Sequence, residues 1–172
     1  MKMKAEHYPF VIRPLPYAIV EFKKGYEFGN TIQYIQKRGN IAPNPEDISK
    51  DNKVTGLNDI MSLVSKRTKD IELAEDLFIS GVAYRSVLPR RDNVTAEDAP
   101  FYFDVLDPKD TFVVKFNGIG KRTVLGCLRI KNIETGKDRY CCYTDSKYFE
   151  VENNKIVKEE INGLGMIPIV QY

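Results

Sequence analysis

Apolar residues recur at helical spacing along the first half of the chain and fall into short runs cut by turn residues along the second half. Residues 16–25 predict a short helix: Pro16 suits its first turn, Lys23 and Lys24 its last, and Gly25 the position after it. Ile19, Phe22 and Tyr26 then share one side. Gly29 and Asn30 punctuate the chain before a short extended stretch, residues 31–35. Residues 37–55 are polar, carry two prolines and predict a long loop. Leu57, Ile60, Met61 and Val64 follow the i, i+3, i+4, i+7 pattern of an amphipathic helix. Ile71, Ala74, Leu77 and Phe78 repeat it as far as Gly81, as a second helix or as the far arm of a bent one.

Strand patterns begin at residues 82–88, followed by a polar connection over 89–100. Residues 101–106 lead into Asp107-Pro108-Lys109-Asp110, a turn in which proline pre-sets φ. Residues 111–116 come next, and Asn117-Gly118 is the strongest short-range hairpin signal in the chain. Further strands are expected over 123–133, 139–143, 148–151 and 155–161, the last entered through Asn153-Asn154. Residues 163–172 read as a glycine-punctuated loop and an extended apolar segment around Pro168. The expected fold is α+β, with N-terminal helices packed on an antiparallel meander sheet. Its divisions are an N-terminal arm, residues 1–14, and one domain, 15–172, helical over 15–81 and strand-rich over 82–172.

Composition narrows the function more than the fold. Apolar residues make up 42% and charged residues 29% of 172, ordinary values for a globular chain. A formal charge of +2 gives no global electrostatic case for binding nucleic acid or membrane. No apolar run approaches the ~20 residues that span a bilayer, and the basic N-terminus lacks the apolar stretch of a secretory signal. The three cysteines, Cys127, Cys141 and Cys142, lie close together; the adjacent pair would point to opposite faces of a strand and could not share a metal. Plain reduced thiols are expected.

Candidate chemistry is sparse. The one histidine, His7, has no evident nucleophile to serve. Gly118-Ile119-Gly120-Lys121 superficially resembles a phosphate loop but sits between two strand patterns, with no helix after it. Asp104, Asp107 and Asp110 could hold magnesium, yet their setting is a proline turn in which Asp bonds the backbone. Lys66-Arg67 and Arg90-Arg91 are basic doublets of the kind usually solvated. No catalytic residue, metal ligand or cofactor is expected; a small metal- or nucleotide-dependent enzyme built on the three aspartates is the alternative.

Four segments, in order, resemble the portal proteins of long-tailed phages of Gram-positive hosts. Residues 20–32 (VEFKKGYEFGNTI) are similar to that family's helix and its Gly-Tyr stretch, with Thr31 where the family has proline. Residues 73–84 (LAEDLFISGVAY) resemble its helix end and glycine entering a strand, and residues 103–114 (FDVLDPKDTFVV) its Leu-Asp-Pro turn. The last are Tyr143-Thr144-Asp145 and residues 165–170 (GMIPIV). The motif positions are Gly25, Tyr26, Gly29, Gly81, Asp107, Pro108, Gly165 and Pro168. The resemblance covers roughly residues 15–172 and implies a structural subunit of a ring, commonly twelve-fold, at one capsid vertex. Terminase, capsid or scaffold protein and a head-completion adaptor are the implied partners, and double-stranded DNA passes through the ring. It also implies a virion component assembled in the host cytoplasm. Complete subunits of the family are longer, so these residues are expected to form its outer, wing-like part. Another head or tail component of a phage is a further alternative.

Overall fold

The computed structural model describes residues 15–35, 48–90, 95, 98–133 and 135–172. The arm over 1–14, His7, Arg91 and most of the loop expected over 37–55 lie outside them.

Among the described residues three helices come first. α1 (Leu15–Phe28) runs through Gly25 instead of stopping there. An interior glycine costs only about 1 kcal/mol relative to alanine, and the extra turn gains the half-buried Phe28. The break falls at Gly29, where an added Cβ would lie 2.4 Å from the Gly25 carbonyl oxygen. After it the extended residues 31–35 meet a side chain instead of a strand. The Tyr34 N–H donates to Asn58 Oδ1 at 2.9 Å, and Asn58 Nδ2 donates to the Tyr34 carbonyl at 3.0 Å.

α2 (Ile48–Leu63) starts inside the segment that the sequence marks as loop. The cue was polarity, and polar residues such as lysine and glutamate are good helix formers; only the two prolines, both before α2, argue against helix. α3 (Lys66–Ser80) is a separate helix. The break between them is Ser65, held in the left-handed region at φ 54°. Gly81 ends α3 as expected: at φ 73° it donates its N–H to the Leu77 carbonyl at 2.9 Å.

Among the described residues eight strands follow, all paired antiparallel, so the architecture is α+β with the helices preceding the sheets. They form two sheets where the sequence suggests one. β1 (Tyr84–Pro89) lies between β2 (Phe101–Leu106) and β8 (Ile169–Gln171). β3 (Thr111–Lys115), β4 (Thr123–Lys131), β5 (Asp138–Tyr143), β6 (Lys147–Glu152) and β7 (Lys155–Ile161) make a five-stranded meander in sequence order. The division falls at the Asp107-Pro108 turn. Asp107 caps it, accepting the Lys109 N–H on Oδ1 at 2.8 Å and the Asp110 N–H on its carbonyl at 3.0 Å. Pro108 has no N–H with which to continue a ladder. The Asp110 carbonyl turns instead to the Arg129 N–H on β4, at 2.7 Å.

Two hairpin turns separate a right expectation from a misplaced one. Asn153 and Asn154 both have positive φ, 52° and 59°, the geometry of a two-residue hairpin turn. The Asn117-Gly118 hairpin exists, but its loop is wider. Phe116 and Arg122 close it at 2.8 Å, and the tight turn is Gly118 to Lys121, with Gly120 at φ 92°. The Phe116 ring lies against Gly118, within 2.2 Å of where a Cβ would stand, so that glycine is used for packing.

The helices are layered by pairs. α1 lies along α3, α2 touches α3, and α3 packs on β2. The five-stranded sheet meets the other sheet where β4 passes the chain before β8. A Cβ on Gly126 would stand 2.8 Å from Ile167 Cγ2 and 3.1 Å from Ile169 Cβ.

Candidate functional site

Arg85 of β1 is a buried charge. Its guanidinium donates to Asp70 Oδ1 on α3 at 2.8 Å and lies 4.3 Å from the centre of the Phe103 ring. Both partners of this ion pair are buried, and Lys66 reaches Asp70 from one turn earlier. Tyr172 adds a second ring, 5.7 Å away. Helix, sheet and C-terminal residues thus converge on one cation, which fixes the helical layer on the three-stranded sheet. Nothing in the sequence separates Asp70 and Arg85 from the surrounding surface charges.

A second junction is Asn162, also buried. Its Nδ2 donates to the carbonyls of Thr144 at 2.7 Å and Met166 at 2.8 Å, and its Oδ1 accepts the Leu164 N–H at 3.1 Å. These bonds tie the end of β7 to the β5–β6 turn and to the loop returning towards β8. Beside it lies an open cleft of about 570 Å³ between the sheets, lined by Leu88, Tyr102, Tyr148 and Lys158 among others. Tyr148 donates to Glu150 Oε1 at 2.8 Å, and burial above all pushes its hydroxyl pKa up.

The aspartates singled out by sequence do not act together. Asp104 pairs with Lys69 at 3.5 Å, Asp107 caps its turn, and Asp110 accepts from Arg129 Nε at 2.8 Å. Asp107 does lie across a shallow groove from Glu72, Glu75 and Asp76 of α3. Burial, then the charges of Asp107, Glu75 and Glu72, raises the Asp76 pKa. Among the described residues no group of three acidic, histidine or cysteine side chains could hold a metal ion. Gly118 to Lys121 forms the hairpin loop. Lys66 is committed to Asp70, Arg67 reaches the Gly29 carbonyl at 3.4 Å, and Arg90 pairs with Asp98 at 2.8 Å.

All three cysteines are free and buried. Cys127 and Cys142 are cross-strand partners with sulfurs 2.9 Å apart, and burial raises the pKa of Cys127 and of Cys141.

The family-motif positions are spread over both layers. Gly25 is inside α1, Tyr26 is exposed on it, and Gly29 follows it. Gly81 caps α3, and Asp107 and Pro108 turn β2 towards β3. Gly165, at φ 64°, donates to the Asn162 carbonyl at 3.3 Å, and the Pro168 carbonyl accepts the Val87 N–H at 3.0 Å. They do not gather into a site.

Two surfaces carry exposed apolar side chains. On α1, at 100° per residue, Val20 and Lys24 face α3, Lys24 meeting Glu75 at 2.7 Å. Leu15, Ile19, Phe22 and Tyr26 fall within a narrow arc on the opposite side and are all exposed. On the five-stranded sheet, cross-strand register puts Phe112, Cys127, Cys142 and Phe149 in one row, with Val114 beside Phe112 on the same face. The other face, turned to Ile167 and Ile169 at Gly126, carries Arg139, Glu150 and Glu152, joined at 2.9 and 3.2 Å. The Phe112 face also carries Arg129, which pairs with Asp138 at 3.6 Å, and Lys147, which pairs with Glu159 at 2.6 Å; the α1 side opposite α3 is the more apolar of the two surfaces.

No helix among the described residues is long and apolar enough to cross a membrane. No curated protein matches the chain. Compared with known protein families, residues 6–172 match phage portal protein, SPP1 Gp6-like. The match spans nearly the whole chain, and it meets a fold whose ion pairs, caps and turns hold a scaffold together: the chain belongs to the SPP1 Gp6-like family of phage portal proteins, structural components of the virion.

Proposed function

We propose that these residues are the wing-like part of a portal subunit whose copies close into a ring at one capsid vertex. In that reading the ring, commonly twelve-fold, admits DNA during packaging and joins head to tail. Terminase, capsid or scaffold protein and a head-completion adaptor are its partners, and it assembles in the host cytoplasm. Residues 15–172 act as one domain, and the eight motif positions serve the backbone geometry of that wing.

The match over residues 6–172 is the observation that carries the reading. The pairing of Asp104 with Lys69, and of Asp110 with Arg129, supports it, because each pair joins two elements of the scaffold. The near-neutral formal charge of +2 fits a part that stands away from the DNA path. Electron microscopy and light scattering on the complete subunit test it. Closed rings of uniform symmetry are expected. A complete subunit that stays monomeric at high concentration and low salt would overturn it.

A further inference from the structure

We propose that Cys127 and Cys142 are a modification site: a small peroxide joins them in a disulfide that staples β4 to β5. The chemistry rests on this pair of residues, and only its trigger rests on the assembly reading above.

The two residues stand directly opposite each other on antiparallel strands, and their sulfurs are 2.9 Å apart. Opposed residues of such a ladder have Cα atoms about 4.5–5.5 Å apart, inside the ~4.4–6.8 Å that a disulfide bridges. A bond of about 2.05 Å therefore needs side-chain rotation and little backbone movement. Within the chain only this pairing is open. Cys141 points to the other face of the sheet, where its cross-strand neighbours are Leu128 and Glu150. All three thiols are free.

Burial selects the oxidant. Cys127 and Cys142 are 1% and 5% exposed, while Phe112 beside them in the row is 44% exposed, so the pair lies one side chain below the surface. A water-sized peroxide reaches it through a small opening that a bulky disulfide reagent cannot use. The Cys142 thiolate attacks one peroxide oxygen; the O–O bond breaks, hydroxide leaves and Cys142 becomes a sulfenic acid. The Cys127 thiolate then attacks the Cys142 sulfur, the S–O bond breaks and a second hydroxide leaves. The two hydroxides take up the two thiol protons, so hydrogen peroxide, the two-electron oxidant, ends as two waters. Burial raises the Cys127 pKa and slows the second step, while contact with Cys142 favours it by holding the two sulfurs together. The same burial shields the finished link from reductants.

The staple falls one pair inside the open end of the β4–β5 ladder, next to Gly126 and Tyr143. Gly126 is where β4 passes Ile167 and Ile169, so the link steadies the strand end that meets the other sheet. In the assembly reading the chain is made in a cytoplasm that keeps thiols reduced and ends in a particle outside it. A peroxide met after release then fixes a sheet that folded with free thiols.

The test uses the complete subunit, reduced, treated with hydrogen peroxide and quenched with acid. Its intact mass should fall by two hydrogens, and a tryptic map without reductant should join residues 123–129 to 140–147. Cys142→Ala should abolish the link and Cys141→Ala should keep it; the parent map decides even where a variant folds poorly. Amide hydrogen exchange over residues 123–131 and 138–143 should slow at least about tenfold in the linked chain. Acid-quenched subunits from inside the host should carry the pair reduced, and released particles should carry it linked. A link through Cys141, oxygen added to the thiols with no link, or exchange left unchanged would each overturn the inference. So would released particles with the pair still reduced. All of these leave the ring reading intact, because ring formation is read separately by microscopy.

Discussion

Replacing Arg85 by methionine isolates the buried ion pair between α3 and β1. Methionine keeps an apolar side chain but removes the guanidinium that lies over Phe103 and meets Asp70 at 2.8 Å. The side chains of Arg85 and Asp70 are only 9% and 8% exposed, so solvent cannot take over the pairing. Losing one partner of a buried pair costs about 3–5 kcal/mol, because the other charge stays buried. Lys66 also contacts Asp70 and moderates the loss, which brings the expected cost to about 2–4 kcal/mol. For a chain of this size that lowers the melting temperature by roughly 5–15 °C. Asp70→Leu alone should cost a similar amount. The two together should cost less than their sum by at least about 1.5 kcal/mol, since an apolar pair can replace a buried ion pair at little expense. Urea unfolding of the four proteins, followed by circular dichroism, closes the cycle. A coupling below about 0.5 kcal/mol would refute the view that this pair joins the helices to the sheet.

Three further outcomes follow from the same geometry. Asn162→Ala strips hydrogen bonds from two carbonyls and one N–H, and equilibrium unfolding should show a loss of about 2–3 kcal/mol; a loss under about 0.5 kcal/mol would mean that the clamp is idle. The raised Asp76 pKa makes its ionisation unfavourable in the folded state, so its contribution to stability falls as pH rises through the carboxylate range. Asp76→Asn should therefore melt higher than the parent at neutral pH, with the advantage shrinking as pH falls towards about 4 and gone below it; an unchanged gap between neutral pH and about 4 counts against the assignment. Cys127 and Cys141 should resist iodoacetamide at pH 8 in the native protein and react on unfolding, as intact-mass spectrometry reads directly.

The α+β class and the existence of most elements were legible because they depend on local periodicity and turn chemistry. Gly81, Asp107-Pro108 and Asn153-Asn154 each impose a backbone geometry on their own neighbours, and each acts where the sequence places it. Gly25 misled because a glycine close behind two lysines looks like a cap, while the true stop, Gly29, is set by contact with a carbonyl a turn away. The early start of α2 was hidden by polarity, which reports exposure and not conformation. The division into two sheets was invisible because pairing of β1 with β8 is set by distant residues. Arg85, Asp70 and Asn162 were missed for the same reason, since a buried charge or amide looks no different in sequence from an exposed one. The helical spacing of Ile19, Phe22 and Tyr26 was plain, but only the structure shows that their side faces outward.

The pairing of β8 with β1 also orders events in time. The five-stranded meander is assembled from hairpins between neighbours, each closing within a few residues. Tyr84 and its partner Gln171, by contrast, stand roughly 85 residues apart in the chain. At about 5–20 residues per second, a ribosome needs several seconds to travel that far after β1 has been made. The meander can close during that interval. β1, paired with β2 on one side, keeps its other edge bare until residues 169–171 have emerged.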